Sequence, residues 1–131
     1  MKPVFLALDE VLALQADQIE RYGGEAGVRD PGLLSSALAM PQATFGGEWL
    51  HPTLPEMAAA YLFHIVRNHP FVDGNKRAGL IAAIAFLGLN DQELVADPDE
   101  LVELVVAVAA GEADKSQIAV FLKEHTRPAD E

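Results

Sequence analysis

An almost unbroken apolar run from Ala78 to Leu89 constrains the fold of this chain more than any other feature. The run is about 12 residues long, whereas a membrane-spanning helix needs roughly 18 or more apolar residues. It is apolar on nearly all sides, and a helix of that kind is stable only when other elements surround it. The sequence therefore predicts a buried central helix from Asn75 to Leu87 and no membrane-spanning segment.

Five further helices are predicted from capping residues that precede helically spaced apolar side chains. Prolines in the first turn support three of these starts, because proline is tolerated there. The predicted ranges are 9–22, 30–41, 53–68, 97–111 and 114–124, with Asp9, Asp30, Thr53, Asp97 and Asp114 as caps. Leu8 and Tyr22 in the first of these helices and Leu33 in the second are expected to face inward.

Two segments lack a helical or strand period. Residues 42–52 contain Gly46, Gly47 and Trp49 and are predicted to be an irregular connection, with Trp49 and Leu50 folding back onto the core. The tail from residue 126 to residue 131 is expected to be loose, and residues 4–6 could form a short extended piece.

The predicted fold class is all-α, a compact bundle of about six helices around the central buried helix, with at most a minor strand. The chain has 131 residues, of which 50% are hydrophobic, and this is enough for one core. We therefore expect a single domain over residues 1–131.

Charge and cysteine content narrow the possible partners. Nine Lys and Arg residues against 20 Asp and Glu residues give a net charge of −11, which argues against a sequence-independent grip on nucleic acid. The absence of cysteine excludes disulfides and thiolate metal sites and is compatible with a reducing cytosol. With no secretion signal at the N-terminus, the expected location is cytoplasmic, with no membrane partner.

The chemistry-bearing residues are concentrated between His69 and Arg77, directly before the central helix. A glycine turn that enters a helix presents unpaired N–H groups, and the helix dipole adds partial positive charge there. Gly74, Asn75, Lys76 and Arg77 therefore form a candidate phosphate cradle, to which the two basic side chains add formal charge. For these four residues alone, a glycine turn with two solvated cations is the simpler interpretation.

Three neighbouring residues strengthen the case for a catalytic site. Asp73 is a candidate ligand for magnesium, which is typically held by one or two carboxylates together with substrate phosphates. His69 lies on the loop and could act as a general base toward a protein hydroxyl. Phe71 is interpreted as the anchor that packs this loop into the core. A lone histidine is more often structural, but base, metal ligand and anion cradle converge here.

Other motifs are weaker or absent. His51, His64 and His125 are interpreted as structural or exposed residues. No His-Glu-x-x-His spacing, Walker-type Gly-Lys-Ser/Thr loop or Gly-x-Ser-x-Gly elbow occurs in the sequence.

The stretch His69-Pro70-Phe71-Val72-Asp73-Gly74-Asn75-Lys76-Arg77 resembles the signature of the Fic/Doc superfamily, and specifically of its death-on-curing (Doc) toxin branch, found in type II toxin-antitoxin systems. The similarity extends through residues 27–34, 52–56 and 96–101, so it covers nearly the whole chain. The resemblance implies the all-helical Fic/Doc (Fido) fold. It also implies transfer of part of a nucleoside triphosphate to a hydroxyl of a target protein.

The branch is indicated by two departures from the Fic enzymes that attach AMP. Those enzymes have glycine after the asparagine and a second arginine three residues after the first, where this chain has Lys76 and Leu80. The Doc resemblance implies a kinase that uses ATP and Mg²⁺, binds ATP in reversed orientation and phosphorylates elongation factor Tu, which inhibits translation. By the same resemblance His69 is the base and Asp73 a magnesium and catalytic ligand. Residues 74–77 hold phosphate, and Phe71 is structural.

Two other functions stay open at this point: AMP or another nucleotidyl transfer, and a non-catalytic protein-binding module with the same fold. Fic proteins can also carry an inhibitory helix with a Ser/Thr-x-x-x-Glu-Gly/Asn pattern. The nearest match, residues 44–48, is followed by Trp49 and lies in a glycine loop, so it is not interpreted as that helix. The resemblance then implies inhibition by a small antitoxin, often through a disordered segment that folds into a groove of the toxin.

Overall fold

The computed structural model describes residues 2–129 and shows the predicted helical bundle. Its six α-helices are α1 (Leu8–Tyr22), α2 (Pro31–Ala39), α3 (Leu54–Asn68), α4 (Asn75–Leu89), α5 (Pro98–Ala109) and α6 (Lys115–His125). A 3-10 turn covers Met40–Gln42, and the four short strands are β1 (Thr44–Phe45), β2 (Glu48–Trp49), β3 (Gln92–Leu94) and β4 (Thr126–Pro128). The all-α prediction is confirmed.

The centre of the bundle is shared by α3 and α4. The predicted central helix, α4, buries Ala82, Ala83 and Phe86, while Leu80 and Ile84 are only partly buried. Helix α3 is enclosed more completely, because it packs against α2, α4, α5 and α6. Its buried residues include Met57, Ala58, Ala59, Ala60, Tyr61, Leu62 and Ile65. Two adjacent helices therefore form the scaffold, and the loop between them carries the candidate site.

The predicted extended piece near the N-terminus is tied to the end of α4. The Val4 N–H donates to Asn90 Oδ1 at 2.7 Å, and Asn90 Nδ2 donates to the Val4 carbonyl at 2.9 Å. Phe5 packs on Phe86 and on Trp49, with ring centroids 5.7 and 5.5 Å apart. The expectation that Trp49 folds back onto the core is thus confirmed.

Four of the five predicted caps are found. Each side-chain oxygen accepts a backbone N–H from the first turn of its helix, which satisfies a donor that the helix itself leaves unpaired. The caps are Asp30 for α2, Thr53 for α3, Asp97 for α5 and Asp114 for α6.

The prediction for the start of α1 was wrong. The helix begins at Leu8 after Ala7, and Asp9 lies within its first turn. Glu10 accepts the Ala7 N–H at 2.8 Å, and Asp9 Oδ1 accepts the Glu10 N–H at 3.0 Å from inside the helix. Leu8 and Tyr22 are 48% and 69% exposed, and the buried stripe instead contains Val11, Gln15 and Ile19. Leu33 in α2 is also exposed, contrary to the expectation.

The irregular connection and the loose tail need correction too. Strands β1 and β2 form an antiparallel hairpin across Gly46 and Gly47, both with positive φ, as a tight hairpin turn requires. Strand β4 pairs with β3 and orders the tail through Pro128, whereas residues 130–131 lie outside the described part of the chain. Strands of two or three residues are too short to show an alternating period. Leu50 is half exposed rather than folded inward.

No helix within residues 2–129 is long and apolar enough to cross a membrane.

Candidate active site

The candidate site is built on the loop between α3 and α4, which starts with His69 in an uncommon backbone conformation. His69 has φ 53° and ψ 52°, the left-handed region that few residues other than glycine adopt. The following proline excludes continuation of the right-handed helix at this position. His69 therefore ends α3, its N–H donates to Ile65 O at 3.2 Å, and its side chain is exposed.

A distant segment holds this conformation in place. Residues 27–30, which we call the strap, run antiparallel to residues 70–72 and pair Val28 with Phe71. The Arg29 and Asp30 N–H groups both donate to the Pro70 carbonyl, at 2.7 and 3.0 Å. Arg29 also donates from Nε to the His69 carbonyl at 2.8 Å and from Nη2 to the Asn68 carbonyl at 3.2 Å. The guanidinium thereby satisfies carbonyls that the end of α3 leaves unpaired.

Inside the loop, Phe71 and Asn75 form the internal support. Phe71 is fully buried, in agreement with its predicted role as anchor. The Asn75 side chain is turned inward, where Oδ1 accepts the Phe71 N–H at 2.9 Å and Nδ2 donates to the Phe71 carbonyl at 3.1 Å. The amide of Asn75 is therefore oriented by the backbone and is not free to reach a ligand.

The same amide fixes the ring of His69. Asn75 Nδ2 lies 3.0 Å from His69 Nδ1. Because the two bonds to Phe71 make Nδ2 the donor, Nδ1 is the acceptor, and the neutral ring carries its proton on Nε2. A proton taken up at Nε2 therefore requires the ring to exchange to the Nδ1–H form, which gives up the bond to Asn75. The backbone N–H of Asn75 can still belong to the predicted cradle, while its side chain positions His69.

The first turn of α4 is left open to a ligand. Gly74 precedes it with φ 71°, and no side chain caps it. The Gly74 N–H donates to Asp73 Oδ1 at 2.8 Å, so it is already occupied. The first helical bond runs from the Ala78 N–H to the Gly74 carbonyl, which leaves the N–H groups of residues 75–77 as the available donors. The predicted cradle of four N–H groups is thus reduced to three.

Asp73 is held from two sides. Its Oδ2 accepts the Glu25 N–H at 3.3 Å, and its backbone carbonyl accepts from Gln15 Nε2 at 3.1 Å. A Cβ at Gly24 would lie 2.7 Å from Asp73 Oδ2, so only glycine allows this close approach of the backbone. The carboxylate is exposed and its position is determined by α1 and the chain that follows it.

The residues of this cavity could hold magnesium only together with substrate phosphates and water. Within residues 2–129 there is no group of three or more His, Asp or Glu side chains that could hold a metal by themselves. Magnesium commonly uses one or two carboxylates and completes its octahedron with water and substrate phosphates. Asp73 beside an anion cradle matches that pattern, so its role as a magnesium ligand stays a prediction.

The two cations of the cradle differ in freedom. Arg77 folds back toward α1, where Nη1 donates to the Gln18 carbonyl at 3.3 Å, and its guanidinium lies against Gly74. Lys76 is exposed at the rim. The Arg77 guanidinium is therefore held over the start of α4 by a hydrogen bond, whereas the Lys76 side chain is exposed to solvent.

The structure brings all the predicted polar residues into one concavity. A cavity of about 340 Å³ is lined by Val66, His69, Asp73, Gly74, Asn75, Lys76, Arg77 and Ala109. Base candidate, carboxylate and free N–H groups thus face the same space, which is what transfer of a phosphate-containing group to a hydroxyl requires. The individual roles of these residues stay predictions.

Sequence reasoning missed three supporting residues. Gln15 had a detectable signal, because a polar residue stands on the buried stripe of α1 between Val11 and Ile19. Gly24 is the second glycine after that helix and could have been noticed as a site of close approach. Arg29 carried no signal, since its partners are about 40 residues away in the chain.

The other histidines lie apart from this cavity. His64 Nε2 is 2.9 Å from Lys115 Nζ, and His125 Nδ1 is 2.7 Å from the Phe121 carbonyl. Burial, followed by the nearby Lys115 ammonium, lowers the pKa of His64 to about 4. Burial also lowers the pKa of His51, which lines a different cavity.

A comparison with known protein families identifies the family of this chain. The model of the Fic/DOC family matches residues 5–87, which is more than half of the chain. The chain belongs to the Fic/DOC family. The matched range includes the strap, α3, the whole loop and most of α4, so the geometry described above is that of the family's domain.

Two curated Fic/DOC relatives resemble the chain over most of its length. The Toxin Doc of Mycolicibacterium smegmatis is 44% identical over 117 residues, which cover 88% of this chain and 89% of the relative. The Protein kinase doc of Escherichia phage P1 is 38% identical over 115 residues, which cover 88% and 90%. The resemblance to the Doc branch is thus confirmed.

Proposed function

We propose that this Fic/DOC protein is a toxin kinase that transfers the outer phosphate of ATP to a hydroxyl of a translation factor, with elongation factor Tu as the expected target. The observation that carries the proposal is the cavity in which His69, Asp73 and the open first turn of α4 meet. The name of the phage relative, a protein kinase, supports the kinase class.

Each residue of the candidate site has a separate role in the proposed reaction. The N–H groups of residues 75–77 and the Arg77 guanidinium hold phosphate oxygens at the positive end of α4. His69 accepts the proton of the target hydroxyl, whose oxygen bonds to the outer phosphorus as the bond to ADP breaks. Magnesium, when bound at Asp73, neutralises phosphate charge. Arg29 holds the His69 backbone, and Asn75 orients the His69 ring before substrate arrives. The ring gives up the bond to Asn75 and exchanges to the Nδ1–H form when Nε2 accepts the proton.

Lys76 favours phosphate transfer over AMP transfer. It stands where AMP-attaching Fic enzymes have glycine, and its side chain lines the cavity. A lysine there adds a point charge and removes the space that glycine would leave for a second phosphate. ATP bound in the opposite sense then presents its outer phosphate to the hydroxyl.

The proposed partners follow from the family. A cognate antitoxin, a small protein whose disordered segment folds on binding, would inhibit the toxin in the cytoplasm. Residues 44–48, the nearest match to the inhibitory-helix pattern, lie in the β1–β2 hairpin and do not form a helix. Inhibition from another chain is consistent with that finding.

The deciding experiment uses ATP labelled at either the α or the γ phosphate. Purified protein is incubated with magnesium, elongation factor Tu and each ATP, and label on the target is counted. We expect transfer from the γ position alone and no transfer by His69→Asn. Transfer from the α position would replace the kinase by AMP transfer.

If label is transferred from neither ATP, a further control is needed. The protein is first shown to arrest growth when expressed, and a cell lysate then replaces elongation factor Tu as substrate. Label on another protein keeps the kinase class and rejects the named target. No label from either ATP, together with tight binding to a partner, would favour the non-catalytic module.

A further inference from the structure

A second cavity, larger than the candidate active site, lies at the opposite end of α3. It has a volume of about 670 Å³ and is formed by the chain before α3, the first turn of α3 and one face of α6. Its lining comprises Leu50, His51, Thr53, Pro55, Glu56, Lys115, Ser116, Ala119, Val120 and Lys123. None of these residues lines the candidate active site, and the 15 residues of α3 separate the two by about 20 Å along the helix axis.

The cavity is mainly apolar, and two lysines lie in its lining. Lys115, Ala119 and Lys123 follow one another at intervals of four residues, so they share one face of α6. The chain has only four lysines among 20 acidic residues, and two of the four line this cavity. Neither lysine forms an ion pair with a carboxylate within residues 2–129.

Lys115 is the better placed of the two cations. Its Nζ lies 2.9 Å from His64 Nε2 and 5.9 Å from the centre of the Phe63 ring. An ammonium is a donor only, so the His64 ring must accept and is neutral. Burial lowers the pKa of Lys115, which shows that part of its hydration has been lost without compensation by a carboxylate.

The wall of the cavity also holds a buried histidine. His51 is 6% exposed, and its Nδ1 has no hydrogen-bond partner. Such buried, unpaired polar atoms are rare in folded proteins because their lost hydration is not repaid. The one carboxylate in the lining, Glu56, is engaged with the Thr53 hydroxyl at 3.0 Å. Within residues 2–129, Glu56 forms no ion pair with Lys115 or Lys123.

We propose that this cavity is a binding site for a small apolar carboxylate, an anion with an aromatic or branched aliphatic body. The carboxylate pairs with Lys115, and the body lies against Leu50, Pro55 and Val120. The volume falls in the range of roughly 300–1,000 Å³ that small-molecule sites occupy. A single anionic group matches the single partly desolvated ammonium, whereas the net charge of −11 disfavours polyanions.

The test compares two probes of the same shape by isothermal titration calorimetry at neutral pH. The probes are 2-naphthoate and its uncharged analogue 2-naphthamide. We expect one site for 2-naphthoate, with a dissociation constant at least about tenfold lower than that for 2-naphthamide, because a charged hydrogen bond is added. Equal affinities, or no binding of 2-naphthoate at millimolar concentration, would overturn the proposal.

Variants locate the site. Lys115→Met should weaken 2-naphthoate about tenfold and change 2-naphthamide by less than about twofold. Ala119→Trp should abolish binding of both probes by filling the cavity, and Lys2→Met is the matched control that should leave both unchanged. Unaltered binding of 2-naphthoate by Lys115→Met, with the fold verified by thermal unfolding, contradicts the site.

A measurement on the unmodified protein keeps the proposal testable should a variant fail to fold. In NMR titrations, 2-naphthoate should shift the ring signals of His51 and His64 and leave those of His125 unchanged. Uniform or absent shifts at saturation would reject the site. An acidic apolar peptide that shifts these rings where 2-naphthoate does not would replace the small molecule by a protein partner.

Discussion

The first turns of α3 and α4 show two uses of the same physical feature. Every α-helix begins with N–H groups that have no partner inside the helix. At α3, Thr53 accepts the Glu56 N–H at 3.2 Å, and its hydroxyl donates to the Glu56 carboxylate at 3.0 Å. At α4, Gly74 offers no side chain and the N–H groups of residues 75–77 are free. The start of α3 is capped by a side chain, and the start of α4 is not.

The open start depends on support from elsewhere. Arg29 holds the His69 carbonyl, Gln15 holds the Asp73 carbonyl, and Asn75 holds both Phe71 and His69. None of these bonds occupies the free N–H groups. A helix can therefore begin without a side-chain cap when more distant residues fix the adjoining loop.

The largest effect is expected from the residue that faces the open turn. His69→Ala should abolish growth arrest and phosphate transfer, because His69 is the only histidine in the lining of this cavity and is the proposed base toward the target hydroxyl. The unfolding temperature should change little, since the side chain is exposed. His69→Asn is the matched variant, because asparagine tolerates the left-handed conformation and lacks a basic ring nitrogen. Toxicity that persists in a well-expressed variant would contradict His69 as base.

The second largest effect is expected from adding a side chain at the start of α4. Gly74→Ala should cost about 1–2 kcal/mol of unfolding free energy, because the residue is left-handed. Its Cβ would also lie 3.2 Å from Arg77 Nη2 and from Ile19 Cδ1, so phosphate transfer should fall sharply.

Gly88 in the same helix provides the control. It is exposed, and a Cβ there would meet nothing within 4 Å. Gly88→Ala should therefore stabilise the protein by roughly 0.5–1 kcal/mol and leave transfer unchanged, as urea unfolding and the labelling assay can measure. Equal losses of activity in the two variants would show that the start of α4 is not special.

His64 in α3 should make the stability of the protein depend on pH in the acid range. Because the pKa of His64 is about 4 in the folded protein and about 6.5 when unfolded, the unfolded state binds more protons between these values. Stability should therefore fall as pH drops from 6.5 toward 4. For this half-buried ring we expect a loss of about 1 kcal/mol between pH 7 and pH 5, after allowance for solvent screening.

Urea unfolding at several pH values measures this slope. His64→Gln removes the titrating group and should flatten the curve over the same range. The burial-lowered pKa of His51 acts in the same direction, so a residual slope is expected. A slope equal to that of the wild type would show that His64 is not the responsible group.

The smallest effect is expected at the closed start. Thr53→Ala should destabilise the protein by about 1 kcal/mol, because the Glu56 N–H loses its acceptor. Thr53→Ser retains the oxygen and should recover most of that loss. Phosphate transfer should be the same in both variants, and a drop in transfer would show that the two helix starts are not functionally separate.

The sequence was informative wherever the signal was local. The caps at Asp30, Thr53, Asp97 and Asp114 and the start of α4 at Asn75 were predicted correctly, because a cap and its helix are within three residues of each other. The start of α1 was misplaced because the helix begins after Ala7, whose side chain cannot act as a cap. The two strand pairs were missed because their strands are too short for a period to show.

The candidate site follows the same division. The sequence by itself determined that His69, Asp73 and the start of α4 are neighbours along the chain, whereas the structure shows that they line one cavity. Only the tertiary structure decided that Arg29 holds the His69 carbonyl and that Gln15 holds the Asp73 carbonyl. Hydrogen bonds are short-ranged and directional, so these two depend on where distant segments come to lie, and no local pattern records that.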